Sequence, residues 1–491
     1  MTEPKLNVTR AEMRLASDSS RVLARPFLPG GAPRIRAVLD RVLSLSDAQV
    51  TSMLASLVAD YRRRHKDIRG IFRQNYATAA ALLVERVELS EDRRLLAGAY
   101  FTNEYSLESA ALFNPSMVPH PDQNGVPPGG KRFILSLRAC GEGHISSIEF
   151  RTGIVDAKNQ IVVDTPSRFV LTAKAMDDTR YDKNTYLQKL IEMAGHNQWT
   201  EPVLQRLDEQ FTMSDLMDAI EDSRPREGEA TLQTEATDTM RWLAHSNYDL
   251  DFSPESQLSE RVIFPVSENE SRGIEDARFV RFTYPGGHVA YYATYTAYNG
   301  FRVLPQLIET SDFRYFKVST LNGRCVQNKG MALFPRKVDG CFVMASRLDG
   351  ENIYLLRSEN LNFWNESKLI HAPTCPWEFI QVGNCGSPIE TEKGWLLLTH
   401  GVGPMRQYWI GALLLDLEDP SHVIGHLAEP FLAAEPAERD GYVPNVVYSC
   451  GAMRHGDNLV IPYAVADTRI RFATVSIPEM LERFTKEIPA S

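Results

Sequence analysis

No run of about 18 apolar residues occurs in the chain, which argues against a membrane-spanning helix. The opening Met1-Thr2-Glu3-Pro4-Lys5 leads into polar residues, without the apolar core or small-residue cleavage site of a secretory signal. Positive charge is also scarce: 53 Lys and Arg against 63 Asp and Glu leave a net charge of −10 and a pI near 5.7. No overall positive field exists to gather a phosphodiester backbone or an anionic lipid surface, so neither nucleic acid nor membrane is an expected partner. The one basic run, Arg62-Arg63-Arg64-His65-Lys66, follows an apolar-periodic stretch. It reads as a helix end, where cations meet the favourable pole of the helix dipole, ahead of a docking patch. Six cysteines (Cys140, Cys325, Cys341, Cys375, Cys385, Cys450) show no Cys-x-x-Cys spacing, which suits reduced thiols in a cytoplasmic protein better than disulfides or zinc. Eleven dispersed histidines give a metal little support. The Gly-rich and Walker-type phosphate loops and the Gly-x-Ser-x-Gly elbow are missing too, which lowers nucleotide-binding and serine-hydrolase readings. Neither metal nor cofactor is expected.

What remains is ordinary globular material, 43% hydrophobic and 24% charged over 491 residues, expected to fold and stay in solution. Apolar residues recur at three and four in Ile35, Val38, Leu39, Val42 and Leu43, then in Met53, Leu54, Leu57 and Val58, with Ser46 and Asp47 offering N-cap chemistry. The stretches Asp67 to Val84 and Asp92 to Leu112 continue that spacing, so residues 1–112 read as a helical unit of three or four helices. At Asn114-Pro115 the character changes; Pro, Gly and Asn crowd residues 115–130, and Phe133 to Arg138 and Ile145 to Gly153 read as strands. Residues 180–246 return to helical spacing (Leu187, Leu190, Ile191, Met193; Leu216, Met217, Ile220) and read as an insertion between strands. From about 250 to 477, strand-turn-strand units recur roughly every 50 residues: Phe279 to Tyr298, Ala332 to Arg347, Gly394 to Gly401, Trp409 to Leu417 and Val446 to Val465. That recurrence suits the blades of a β-propeller over 113–485 better than a sandwich, which shares the short strands and regular turns.

Three groups of residues offer chemistry. Glu275-Asp276 stands between Ser271-Arg272-Gly273 and a strand, and Arg278 follows on the same strand face as Asp276. A neighbouring negative charge holds a carboxyl proton nearer working pH, as general acid catalysis needs; from spacing alone, a surface salt bridge is the plainer reading. Asn328 to Arg336 and Ser346 to Asn352 bring cations and acids onto neighbouring strands, able to hold sugar hydroxyls or phosphate, or simply to form a charged edge. Aromatic residues beside acids suit the flat faces and hydroxyls of sugars: Tyr291, Tyr292, Tyr295 and Tyr298, then Trp377-Glu378-Phe379, and Tyr463 near Asp467. Most of the four tyrosines read as sheet packing, which leaves Trp377 and Tyr463 as the better candidates. His144 and His400 are the histidines worth noting, each read first as structural.

Taken in order, Gly273-Ile274-Glu275-Asp276-Ala277-Arg278, Tyr291 to Tyr298, Asn328-Lys329 with Ala332-Leu333-Phe334-Pro335, Gly394 to Leu398 with His400-Gly401-Val402, Leu413 to Pro420, and Val443-Pro444-Asn445-Val446-Val447 with Gly451 resemble glycoside hydrolase family 130. This family contains β-mannoside phosphorylases and some β-mannosidases. The resemblance implies a five-bladed propeller, mainly β, and single-displacement cleavage of β-mannosides with inversion. It makes Asp276 the proton donor, acting through a sugar hydroxyl, with Ala277 in place of the usual Pro. The substrate-binding set it implies, joined to the candidates above, is Arg278, Tyr298, Asn299, Lys329, Arg347, Trp377, His400, Tyr463 and Asp467. Phosphorolysis needs cations around inorganic phosphate as co-substrate. Lys329 matches one such position and Arg347 lies beside another, but Ser346 and Leu304 stand where the family has His and Arg. Hydrolysis is therefore slightly preferred, with phosphorolysis the alternative and a non-catalytic carbohydrate-binding propeller the second. An inverting hydrolase needs a carboxylate base about 6.5–9.5 Å from the acid; Glu309, Glu351 and Glu378 are the candidates. The partner is a β-mannoside oligosaccharide, and the helical additions offer either a homo-oligomer interface or a wall for one end of the sugar site.

Overall fold

The computed structural model describes residues 6–83, 88–176, 179–193, 195–223, 230–301 and 303–485. The fold is mainly β, with helical additions. Helix α1 (Ala32–Leu43) starts with Pro in its first turn and buries Ile35, Leu39 and Val42 at helical spacing. Helix α2 (Asp47–Tyr61) begins at the predicted cap: Ser46 Oγ accepts from Gln49 N, and the Gln49 side chain accepts from Ser46 N. With α3 (Ile68–Ala80) and α4 (Glu91–Tyr100) they share an apolar core that includes Ala79, Leu89, Leu96 and Phe101.

Two features correct the purely helical reading of residues 1–112. Strand Val8–Leu15 precedes the helices, and strand Val22–Pro26 pairs with Thr102–Ser106. The helical spacing of 92–112 stops at Tyr100, after which the chain turns extended, with a further strand at Ala111–Pro119. Residues 84–87, at the end of the stretch read as helical from Asp67, lie outside the described residues.

Among the described residues, five sheets of four or more strands follow in chain order. At one end of the strand order in each sheet lies Ala111–Pro119, Ile274–Thr283, Ala332–Leu333, Gln381–Asn384 or Val447–Tyr448, each paired antiparallel with its neighbour. Apolar clusters fill the space between successive sheets: Phe150 with Phe279, Phe282 with Met344, Val343 with Leu397, and Ile410 with Ile461. A fifth cluster joins the last sheet back to the first through Phe472, Val460, Phe133 and Leu135. At ~25 cal/mol per Å² of apolar surface removed from water, these layers supply the main cohesion. Strand Val8–Leu15 supplies the outer strand of the fifth sheet, pairing with Arg469–Ser476.

The insertion predicted at 180–246 holds α5 (Lys183–Glu192), α6 (Glu201–Arg206), α7 (Met213–Asp222) and α8 (Ala230–His245) around a core of their own that includes Leu190, Leu204, Leu216 and Met240. It leaves and re-enters through Lys174–Ala175 and Tyr248–Asp251, which pair with each other at the outer edge of the second sheet. An insertion at a sheet edge leaves the inner ladder intact.

Candidate active site

Two matching irregularities build the site. Register shifts between Phe113 and Ser116 in the first sheet, and between Glu275 and Arg278 in the second. Such bulges re-aim side chains. Within them Asn114 (φ 48°) and Asp276 (φ 56°) hold left-handed backbone, and the Asn114 amide donates to Asp276 Oδ1 at 2.6 Å. Non-glycine residues held there are strained and concentrate at functional sites. Asn328 (φ 61°) and Asp467 (φ 49°) share the conformation.

Charge converges on the pair. Arg138, at the end of the adjacent first-sheet strand, reaches Glu275 Oε1 at 2.9 Å and Asp276 Oδ1 at 3.4 Å. Lys329 Nζ lies 2.5 Å from Glu275 Oε2 and 5.7 Å from the centre of the Tyr298 ring. Arg278 is buried, donates to the backbone oxygen of Asp276 at 3.0 Å and to Tyr448 Oη at 2.7 Å, and comes within 3.9 Å of Asp276 Oδ2. The Tyr448 ring packs against His400, with centres 4.8 Å apart. His400 Nδ1 donates to the Asn384 carbonyl at 3.1 Å, leaving Nε2 as an acceptor when the ring is neutral. Gly383 allows this approach: a Cβ there would collide with the His400 ring and touch Arg347 Cδ. The Arg347 side chain makes no hydrogen bond or ion pair among the described residues, and its Nε is buried without a partner. Arg278 Nε, Arg138 Nε and Asn114 Oδ1 are likewise buried and unpartnered.

These surroundings separate the two carboxyls. Burial alone would raise Asp276, but Arg138, then Arg278, the Asn114 amide and Lys329 outweigh it and hold the group below the usual Asp value. Asp467 moves the other way: burial, then the charge of Asp276, push it up to about 6 against Arg138 and Arg406. Burial, followed by Arg347 and Arg278, pushes His400 well down, so its imidazole is neutral.

The structure thus brings Asp276, Arg278, Tyr298, Lys329, Arg347, His400 and Asp467 into one region, with Asn299 on the loop just after Tyr298. Other predicted site residues belong elsewhere. Tyr463 is fully buried in the apolar layer between the fourth and fifth sheets, its hydroxyl bonded to Glu438 at 2.8 Å. Trp377 packs over Gly401 and Gly411 and donates to the Ala428 carbonyl, so it fills a gap instead of offering a face to a sugar. Glu378 is 2% exposed and accepts from Thr374 N and Cys375 N, with His371 Nε2 at 3.1 Å; it pins a loop. Glu351 is exposed in the turn that Asp349 organises, and Glu309 is an exposed strand residue across from Lys317. None of these three acids contacts the Asp276 network among the described residues. Of the two departures from the family pattern, Ser346 is buried with its hydroxyl unpartnered, and Leu304 packs against the apolar layer between the first two sheets.

Asn114, Arg138 and Tyr448 were invisible to sequence reasoning as site residues. Asn114-Pro115 marked a boundary, and its likeness to Asp276-Ala277, each pair opening a sheet, was the available signal. Arg138 at the polar end of an apolar strand was a weaker one.

A family model described as β-1,4-mannooligosaccharide phosphorylase matches residues 251–487. A 1,2-β-oligomannan phosphorylase of Thermoanaerobacter sp. (strain X514) is 35% identical over 235 residues, 46% of this chain and 75% of that protein. A β-1,2-mannobiose phosphorylase of Listeria innocua is 32% identical over 234 residues, 46% of this chain and 64% of that protein. The solved structure of the Listeria innocua β-1,2-mannobiose phosphorylase with β-1,2-mannobiose superposes with a TM-score of 0.44 at 22% identity, covering 76% of this chain and 92% of that one. Asn114 and Arg138 stand before the segment matched by the family model.

Proposed function

Because this chain belongs to glycoside hydrolase family 130, whose members act on β-mannosides as phosphorylases or hydrolases, we propose that it is a β-mannoside phosphorylase. Its five sheets are then the blades of a five-bladed propeller over 113–485, with helical additions at 1–112 and 180–246. The observation that carries the reading is the surplus of cationic groups around Asp276, above all Arg347, whose guanidinium has no carboxylate partner among the described residues. An oxyanion with several acceptor oxygens matches that set, and Arg forks hold such groups through paired hydrogen bonds. The names of the relatives support the same choice over hydrolysis. Ser346 and Leu304 remove two of the family's phosphate ligands, and Arg278, Lys329, Arg347 and Tyr448 are the groups left to hold phosphate, with neutral His400 able only to accept from a protonated phosphate oxygen.

In the reaction, a phosphate oxygen attacks the anomeric carbon of the terminal β-mannosyl unit on the face opposite the glycosidic oxygen. The C–O bond to the leaving sugar breaks, and the product is α-mannose 1-phosphate. Asp276 delivers the proton to the leaving oxygen through a sugar hydroxyl. In the free protein this carboxyl is held low by its cations. A phosphate arriving beside Arg278 and Lys329 competes for those cations and adds like charge, both of which raise the carboxyl toward the protonated form. Asp276 becomes an acid when the nucleophile is in place.

A second reading keeps hydrolysis, with Asp467, raised to about 6, as the base that activates water. Incubation with β-1,2-mannobiose and β-1,4-mannobiose, with and without phosphate and followed by ³¹P NMR, decides between them. Phosphorolysis gives mannose 1-phosphate and no cleavage without phosphate. Equal mannose release in both conditions overturns it.

A further inference from the structure

A cavity of about 130 Å³ lies away from the Asp276 cluster, between the helical insertion and the second sheet, lined from α5, α8 and the strands Val303–Thr310 and Tyr315–Thr320. Its two ends differ. At the solvent end Arg180 and Lys317 are exposed, and neither side chain makes a hydrogen bond or ion pair among the described residues. The inner end is formed by buried groups, with Thr320 and Asn322 only 3% and 1% exposed. Thr320 Oγ1 and Asn322 Oδ1 are both buried without a hydrogen-bond partner. The Asn322 amide nitrogen is already engaged with the Thr320 and Asn362 carbonyls, so its free oxygen can only accept. Lys189, also buried, reaches Leu321 O at 3.0 Å and Glu192 Oε2 at 3.3 Å.

Two acids line the same space. Asp182 already accepts from Thr185 N, Thr185 Oγ1 and Gln210 Nε2, and Glu309 stands across the strand pair from Lys317. The cations at the mouth therefore call for an anion, while the oxygens at the floor call for a hydroxyl donor. A neutral sugar answers only the floor, and inorganic phosphate answers chiefly the mouth. Each buried polar group left unpaired costs about 1–3 kcal/mol, so a ligand that answers both ends is selected over either part alone.

We infer that this cavity is a second ligand site, distinct from the cleavage site, for a phosphorylated hexose whose phosphate meets Arg180 and Lys317 and whose hydroxyls meet Thr320 and Asn322. The choice of mannose 1-phosphate as the probe rests on the phosphorolysis reading; the cavity and its chemistry do not.

The test is calorimetric titration of the full chain with α-mannose 1-phosphate, with inorganic phosphate and mannose as separate titrants. The intact protein binds two equivalents, one in each site. The double substitution Arg180→Ala, Lys317→Ala, at two exposed positions, leaves the melting temperature unchanged. It weakens one equivalent at least tenfold and leaves the other as it was. If the phosphorolysis reading fails and the Asp276 region takes no sugar phosphate, the intact protein binds one equivalent and the double variant binds it at least tenfold more weakly, and the second site stands alone. The inference is overturned if the double variant binds as many equivalents as the intact protein with affinity within threefold. It is equally overturned if inorganic phosphate or mannose fills this site as tightly as the sugar phosphate does.

Discussion

Two dense charge clusters sit in this molecule, and they are built to opposite ends. In the first, Arg21 meets Glu108 at 2.8 Å and Glu149 at 2.7 Å, and also donates to the Ser167 and Ser259 carbonyls. Arg151 meets the same two acids at 2.6 and 3.2 Å. All four side chains are buried, two cations against two acids, with every guanidinium held by carboxylates. The Asp276 cluster gathers Arg138, Arg278, Lys329 and Arg347 around Glu275, Asp276 and Asp467, and leaves Arg347 without a partner. A cluster whose guanidiniums are all paired ties the segment before the helices to the first sheet. The Asp276 cluster leaves a cation free among the described residues, as the proposed phosphate site requires.

The contrast can be tested from both sides. Asp276→Asn should lower turnover by about 10³-fold, the middle of the range for losing a general acid, with the thermal midpoint little changed; a variant retaining a tenth of wild-type turnover would remove Asp276 from the mechanism. In the paired cluster, Arg21→Ala leaves buried Glu108 and Glu149 with Arg151 alone and should cost about 3–5 kcal/mol in denaturant unfolding. The turnover of the folded fraction should stay at wild type. Arg347→Ala should raise the KM for phosphate by roughly tenfold to a hundredfold, the worth of a charged hydrogen bond or two, without a comparable change in the KM for mannobiose. The smallest effect is expected at Asp467. Its folded value of about 6 lies above the ordinary Asp value of 3.8, so the folded state binds the proton more tightly. That contribution to stability is complete below the unfolded value and is lost as pH rises through about 6. Asp467→Asn should therefore be more stable than wild type by about 1–2 kcal/mol at pH 8, and no more stable near pH 3. Melting curves at the two pH values check the sign.

Much of the architecture was legible because local periodicity reports it. The Ser46 cap, the helical insertion and the recurring strand pairs all follow from spacing of three, four or two. Strand Val8–Leu15 also alternates, with Ala11, Met13 and Leu15 facing the layer between the fifth and first sheets, although it is too short and too polar to stand out. The site was less legible. Asp276 rose above a plain surface acid only through six ordered motifs. Asn114, Arg138 and Tyr448 come from other sheets, and nothing within a few residues of them reports the contact. Tyr463, Trp377 and Glu378 failed for a related reason. An aromatic ring beside an acid has the same composition whether it faces a ligand or the next sheet, and only the packing chooses. Here Tyr463 and Trp377 face protein.

The pairing of Val8 with Val475 has a consequence in time. At synthesis rates of about 5–20 residues per second, the strand made among the first waits from about twenty seconds to a minute and a half for its partner to emerge. Through that interval its hydrogen-bonding edge and the apolar side of Ala11, Met13 and Leu15 stay uncovered, and the fifth sheet cannot be completed. Completion of the fifth sheet thus depends on the order in which the ribosome delivers the chain, and a nascent chain stalled short of Arg469 leaves that edge open to any other strand it meets.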